Sequence, residues 1–407
     1  TLAAAAALAV SLCSCAAGEA IKNAGDSLLD FFSAEEAEST EAPTETAPQE
    51  QVSNDINIGV YDFDTYDPLN TVSPTVKDVC GFIFEPLFSL DQEMRTVPVL
   101  AESCEKTSDG MTLTVRLKQN VLWHDGSAFG AADVVYTINR LKAGTANYGQ
   151  LAEAISSAYA ADANTVVIGF TRPVPDAASL LIFPIVKSGS EFSGSRDGTV
   201  IGTGPFYMAG LSGRDEYRLA VFEGYHGERA VLESVYVSFI PDKEKYISLF
   251  NANEINIATS ETLDMTSFMP KGNASVQDFV SNDMTFLGFN TTDTMLADAK
   301  TRRAVSMLID RDSIVTHIYF SRAAAADYAI NPQSWLNFDT REKLRADAQG
   351  AAMLLREAGW KTDEDGMYYK DQGRRAVYFR VSILVNSDSP QRVETANNIC
   401  ERMRTAG

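Results

Sequence analysis

The stretch from Val121 to Leu141, VLWHDGSAFGAADVVYTINRL, constrains the fold more than any other part of the chain. It reads as a strand end, a turn and a helix. Asp125-Gly126 marks the turn, because glycine takes positive φ without steric cost. Ser127 and Asp133 place oxygen and negative charge near the coming helix start, which suits its unpaired N–H groups. Val134, Val135, Ile138 and Leu141 then recur at helical spacing and predict one apolar face. Nothing in this reading is catalytic.

The chain has 407 residues, too many for one ordinary core, and two or three domains are expected. Its formal net charge of −21 argues against nucleic acid, whose phosphates an acidic body repels. Leu2 to Leu12 is alanine-rich and apolar. That run is too short to span a bilayer and fits the h-region of a signal peptide. It ends in Leu12-Cys13-Ser14-Cys15, where a small residue before Cys15 resembles a bacterial lipobox. Cleavage before Cys15 and lipid on its sulfur are expected, with a plain secretory signal as the alternative. Residues 1–15 are thus read as a lipoprotein signal peptide. Its basic n-region is absent because the sequence opens at Thr1. Residues 16–54 are read as a disordered acidic tether: from Ser33 onward Glu35, Glu36, Glu38, Glu41, Glu45 and Glu50 lie among Ser, Thr, Pro and Ala with no Lys or Arg.

Outside the signal region the cysteines are Cys80, Cys104 and Cys400, an odd number that forbids complete internal pairing. A Cys80–Cys104 bridge stays open, against the favoured reading of three small buried hydrophobes. Strands are expected at Ile56–Tyr61, Met111–Leu117, Thr165–Phe170, Tyr217–Phe222, Val231–Phe239, Phe286–Asn290 and Val377–Val385. Helices are expected at Lys243–Asn251, from Asp298 with Ala304, Val305, Leu308 and Ile309 inward, at Glu342–Ala358, and at Ser389–Thr405. Gly359-Trp360 suits a left-handed helix cap with its hydrophobic clasp. Trp123, Trp335 and Trp360 are read as core.

Several stretches together resemble the family 5 extracellular solute-binding proteins, the dipeptide, oligopeptide and nickel receptors of bacterial ABC importers. The densest are the Trp123-His124-Asp125-Gly126 signature, Gly202-Thr203-Gly204-Pro205-Phe206, and Asp298 to Ala304 followed by Ile309-Asp310-Arg311. Tyr66-Asp67-Pro68, Glu85-Pro86-Leu87-Phe88, Leu100-Ala101-Glu102-Ser103 and Glu357-Ala358-Gly359-Trp360 fit the same pattern in order. Pro86 stands where the family commonly has Gly, and Cys104 where Trp is common.

The resemblance implies an α/β, two-lobed, cluster C periplasmic-binding-protein-like fold of three domains. Its implied parts are a core domain of lobe I (55–90 and 200–290), an inserted domain (91–199), and lobe II (291–407), truncated at the C-terminus. It also implies a monomeric extracytoplasmic receptor, lipid-anchored to the bacterial cell membrane, that captures a peptide or small solute by lobe closure. Such a receptor delivers its solute to ABC permease and ATPase subunits. The alternatives are a secreted hydrolase using paired carboxylates, and a sensory or pheromone receptor on the same fold.

No catalytic motif, cofactor motif or metal-ligand spacing is found, and an enzyme is not expected. Gly202-x-Gly204 fails as a phosphate cradle, since Tyr207 replaces the third glycine and strand-like residues follow. Of His124, His226 and His317, none has metal spacing, and His124 is read as a hydrogen-bonded structural imidazole. Asp363-Glu364-Asp365-Gly366 is read as an exposed turn rather than a calcium loop. Trp123, His124, Asp125, Gly126, Gly202, Gly204 and Pro205 form a structural signature. By resemblance, Asn70, Thr71, Val72, Ser73 and Tyr148 face the ligand.

Overall fold

The computed structural model describes residues 54–407 apart from 193, 195, 197, 213–215, 261–265, 271–273, 279–280, 282 and 338–344. Cys15, the signal segment and the expected tether up to residue 53 lie outside the described residues. The chain divides into two compact units, one ending at Ser275 and one beginning at Val276.

The first unit is built on two four-stranded sheets. In the first, β1 (Asp55–Val60) runs parallel to β10 (Ser234–Phe239), which pairs with β9 (Glu216–Val221) and then β8 (Phe206–Leu211). Ile56, Ile58 and Val60 alternate inward, as a half-buried strand requires. Helix α1 (Pro74–Ile83) packs on β1 and β8 through Val76, Val79, Cys80 and Ile83. Ser73 caps it, accepting from the Val76 N–H at 3.4 Å, and Pro74 occupies a first-turn position where a missing N–H costs nothing. The helix ends at Ile83, ahead of Pro86.

The second sheet is antiparallel, in the order β4 (Ala101–Lys106), β5 (Thr112–Leu117), β7 (Thr165–Phe170) and β6 (Ile155–Asp162). Leu113, Val115 and Leu117 share one buried face with Val166, Ile168 and Phe170. Helix α2 (Ala131–Ala143) buries Val134, Ile138 and Leu141 in the same core. One hydrophobic cluster runs through both sheets, and each such side chain contributes on the order of 1.5–3 kcal/mol by leaving water. Strands β2 (Phe88–Leu90) and β3 (Thr96–Pro98) form a hairpin, α3 (Gly149–Glu153) is one turn, and α4 (Lys243–Asn251) spans the expected residues.

The second unit holds α5 (Ala299–Met307), α6 (Arg311–His317), α7 (Ala348–Glu357), a three-stranded sheet of β11 (Lys361–Thr362), β12 (Tyr368–Gln372) and β13 (Arg375–Tyr378), and α8 (Pro390–Thr405). Asp298, Asp310, Asp347 and Ser389 cap the four helices with side-chain oxygens. Gly359 takes φ +84° after α7, and Trp360 is buried with its Nε1–H donating to Thr301 Oγ1 at 3.0 Å.

Several expectations are corrected here. Phe286–Asn290 forms no strand, and Phe286 is exposed, because no neighbouring strand pairs with this stretch among the described residues. The alternation from Val377 to Val385 becomes strand only through Tyr378; Phe379 N–H still donates to Tyr368, but β12 offers no partner beyond. Helix α7 starts at Ala348 rather than Glu342, since the Asp347 carboxylate accepts from the Gly350 N–H and sets the cap there; residues 342–344 lie outside the described residues. Trp335 is 41% exposed, on a turn closed by the Ser334 N–H on Asn331 O and the Asn337 N–H on Ser334 O. The three cysteines among the described residues are free thiols. Cys80 is buried, Cys400 is half-buried, and Cys104 is exposed because β4 is the edge of its sheet.

Candidate functional site

The Val121–Leu141 stretch folds as strand end, turn and helix, and its polar side chains tie it to distant segments. In the turn, Asp125 Oδ1 accepts from the Ser127 N–H at 3.1 Å and from its hydroxyl at 2.6 Å. Ser127 therefore closes the turn instead of serving the helix start; that role falls to Asp133, whose Oδ2 accepts from Gly130 N–H at 3.0 Å. Asp125 also pairs with Lys187. The Lys187 ammonium and the Ser127 hydroxyl hold the Asp125 carboxyl down at about 2. Gly126 has φ +81°, as its place in the turn demands. Trp123 is fully buried, with Nε1–H on Asp133 Oδ2 at 3.2 Å, and Asp133 Oδ1 accepts from Ser188 N–H at 2.8 Å.

His124 joins the first motif to the second. Its Nδ1 accepts from Gly202 N–H at 3.2 Å, its Nε2 faces Gly204 O at 2.9 Å, and its own N–H donates to Gly202 O at 3.0 Å. The imidazole is hydrogen-bonded at both ring nitrogens, and burial holds its pKa below the ordinary 6.5. The glycines are required by close approach: a Cβ on Gly202 would sit 1.8 Å from Ile83 O, and one on Gly204 2.6 Å from Phe82 O. Gly204 N–H donates to Ile83 O at 2.8 Å, and Pro205 O accepts from Phe222 N–H at 2.8 Å. The motif thus docks on the end of α1 through backbone hydrogen bonds and through the Phe206 ring, which meets Phe82 edge-on at 5.7 Å between centroids.

The candidate ligand residues lie on two loops that the fold brings together. Asn70 Oδ1 accepts from Ala146 N–H at 3.0 Å, and Asn147 Nδ2 donates to Thr71 O at 2.7 Å. Asn70 Nδ2 and Arg140 Nη2 both donate to Asp67 Oδ2, at 2.7 and 2.6 Å. Thr71 and Ser73 are buried and serve the loop: Thr71 Oγ1 donates to Asp64 Oδ1 at 2.6 Å, and Ser73 caps α1. Burial raises the pKa of Asp64, but hydrogen bonds from Thr71, Val72, Thr65 and Ser73 outweigh it and leave the group below its ordinary value. Val72 is the residue left to solvent, at 66% exposure, with its N–H on Asp64 Oδ2. Tyr148 is half-buried with φ +62°, a strained conformation for a bulky residue, and its hydroxyl pKa is raised by burial. Beside it an open pocket of about 390 Å³ is lined by Thr145, Tyr148, Gln150, Leu151 and Glu153 among others. The arrangement offers backbone, amide and aromatic surface.

Sequence reasoning missed three contacts: Arg140 on Asp67, Lys187 on Asp125, and a buried cluster around Glu85. The Glu85 carboxylate accepts from Tyr225 Oη–H at 2.9 Å and lies 2.9 Å from His226 Nε2. The one available signal was Glu85 itself, a lone carboxylate inside the apolar run IFEPLF. Asp363-Glu364-Asp365-Gly366 is the β11–β12 turn, with Asp363 Oδ1 accepting from Asp365 and Met367 N–H groups.

The described residues form a mixed α/β fold in which these motifs serve packing and the candidate contacts lie on two docked loops. Residues 95–407 match the profile of the bacterial extracellular solute-binding proteins, family 5 Middle, and the chain belongs to that family. It is 27% identical over 295 residues to the dipeptide-binding protein of Escherichia coli K12, covering 65% of this chain and 55% of that one. It is 23% identical over 390 residues to the oligopeptide-binding protein AppA of Bacillus subtilis, covering 91% of this chain and 70% of that one. The chain thus spans little more than half the length of the first relative. Among solved structures, its fold is similar to a nickel ABC transporter protein of Bacillus halodurans (TM-score 0.66, 23% identity, 87% of this chain and 72% of that one). It is also similar to NikZ of Campylobacter jejuni in complex with Ni(L-His) (TM-score 0.63, 23% identity, 87% and 72%).

Proposed function

We propose that this protein is the peptide-capturing receptor of an ABC importer, anchored outside the cytoplasmic membrane by lipid on Cys15. Membership of family 5 over residues 95–407 carries the reading. The curated relatives are named for dipeptides, oligopeptides and glutathione, which favours a peptide over a metal chelate. An extended peptide pairs its main chain with protein backbone, so that affinity comes without strict side-chain selection. Asn70, Thr71, Val72, Ser73 and Tyr148 are the proposed ligand-facing positions. Within them Val72 and Tyr148 make the contact, while Thr71 and Ser73 hold the loop in place. In the same reading the two sheets of the first unit are the core and inserted domains of lobe I, and the second unit belongs to lobe II. Ligand binding shifts an open–closed equilibrium of the lobes, and the closed form docks on the permease, whose ATPase supplies the energy.

Titration of the protein with a panel of peptides by calorimetry, with mass spectrometry of the mixture afterwards, tests this. Saturable binding with intact peptides is expected; cleaved peptides identify a hydrolase and overturn the reading. Separately, Cys15→Ser should move the protein from the membrane to the soluble fraction, and retention of the variant in the membrane contradicts the anchor.

A further inference from the structure

His124 sits in a mount that accepts one protonation state of its ring. Gly202 presents an N–H to Nδ1 at 3.2 Å, so Nδ1 must carry a lone pair. Gly204 presents a carbonyl to Nε2 at 2.9 Å, so Nε2 must carry the proton. The ring that fits is the neutral Nε2–H tautomer. A second proton, on Nδ1, would face the Gly202 N–H donor head on. We propose that His124 is a proton-operated clasp: the neutral ring holds the 202–204 loop on the 123–127 turn, and protonation of the ring releases it.

The surroundings decide the sign. Burial disfavours the cation and outweighs the opposing influences of Gly204 O, Glu85 and Asp125. Asp125 is itself occupied by Lys187, and Glu85 by Tyr225 and His226. The rings of Phe222 and Tyr207 flank the imidazole with centroids at 5.0 and 6.3 Å. Neither ring supplies a hydrogen-bonding carboxylate to take up the new proton. A folded pKa below the ordinary 6.5 means that the clasp is fully closed above that value. It then weakens as pH falls from there toward the folded pKa. The released loop is the one whose glycines rest on Ile83 at the end of α1, so opening loosens the seat between the two motifs. This inference concerns the mount itself and holds whatever solute the protein carries.

The chain has three histidines, which makes the ring nitrogens individually assignable by NMR using His124→Gln, His226→Gln and His317→Gln. In the full chain the His124 ring should show the Nε2–H tautomer at neutral pH. Through the acid range, the opening constant of the Gly202 amide in hydrogen exchange should rise by up to about tenfold per pH unit below about 6.5. In His124→Gln, whose amide donates and accepts without titrating, that rise should vanish; in His226→Gln it should persist. If His124→Gln fails to fold, the wild-type ring signals and the Gly202 exchange decide the matter alone. A doubly protonated His124 at neutral pH, a Gly202 opening constant that stays flat while the ring titrates, or a rise that disappears in His226→Gln would each overturn the clasp.

Discussion

Two glycines of the signature separate two kinds of backbone demand. At Gly126 nothing lies within 4 Å of an added Cβ, so the whole cost of a side chain there comes from φ +81°. Gly126→Val should therefore destabilise by about 1–3 kcal/mol in equilibrium denaturation. At Gly202 φ is ordinary and the obstacle is Ile83 O, 1.8 Å from the added Cβ. Backbone must move there, and Gly202→Ala should cost more than Gly126→Val, on the order of 4 kcal/mol or above. An equal or reversed ranking contradicts the docking of the second motif on α1. The turn glycine was legible from Asp125-Gly126, whereas the Ile83 contact joins residues too far apart for local pattern to show. Val72 offers a test of the ligand surface at the same scale. It is 66% exposed, so Val72→Glu should leave stability within about 0.5 kcal/mol. It should weaken peptide affinity by about tenfold or more, ~1.4 kcal/mol, in calorimetry. Unchanged affinity removes residues 70–73 from the site.

Helices were legible where a cap and an apolar face coincide. Asp298 and Ser389 stand one residue before α5 and α8, and α4 matches its expected span. Asp298 accepts from the Thr301 N–H at 3.1 Å, and Asp298→Ala should cost about 1 kcal/mol through loss of that cap. The Thr301 N–H, with the Thr301 hydroxyl and the Lys300 N–H, holds the Asp298 pKa below its ordinary 3.8 against the opposing effect of burial. Its contribution is thus complete above that value and fades as pH falls further, so the Asp298→Ala penalty should shrink in acid denaturation series. A penalty that grows on acidification contradicts the cap. Strands were legible where a partner exists: Thr165–Phe170 pairs on both sides and appears as expected. Phe286–Asn290 and residues 379–385 carry strand-like residues too, but a strand is a property of a pair, and alternation in one segment does not specify its neighbour. The candidate site shows the same division. Its loops were legible as positions, but their docking through Asn70 and Asn147 was not, because single polar side chains leave no periodic trace.

At the scale of the molecule, the two units differ in how they are held. Among the described residues the first has a large core through both sheets beside a small cluster at Tyr246, whereas the second has only small clusters, around Trp360 and around Ile399. It also leaves Phe286, Phe320 and Leu384 exposed. Chemical denaturation should therefore show two transitions, the second unit melting first. Fluorescence of Trp360 should change before that of Trp123, which single-tryptophan variants can resolve. Coincident transitions would mean that the units fold as one cooperative body. The proposed role as a peptide carrier is tested most directly by mass spectrometry of the small molecules released when the full chain, purified from its host without added ligand, is denatured. Intact short peptides are expected, in up to about one copy per chain. A metal chelate or a sugar in their place would contradict that role.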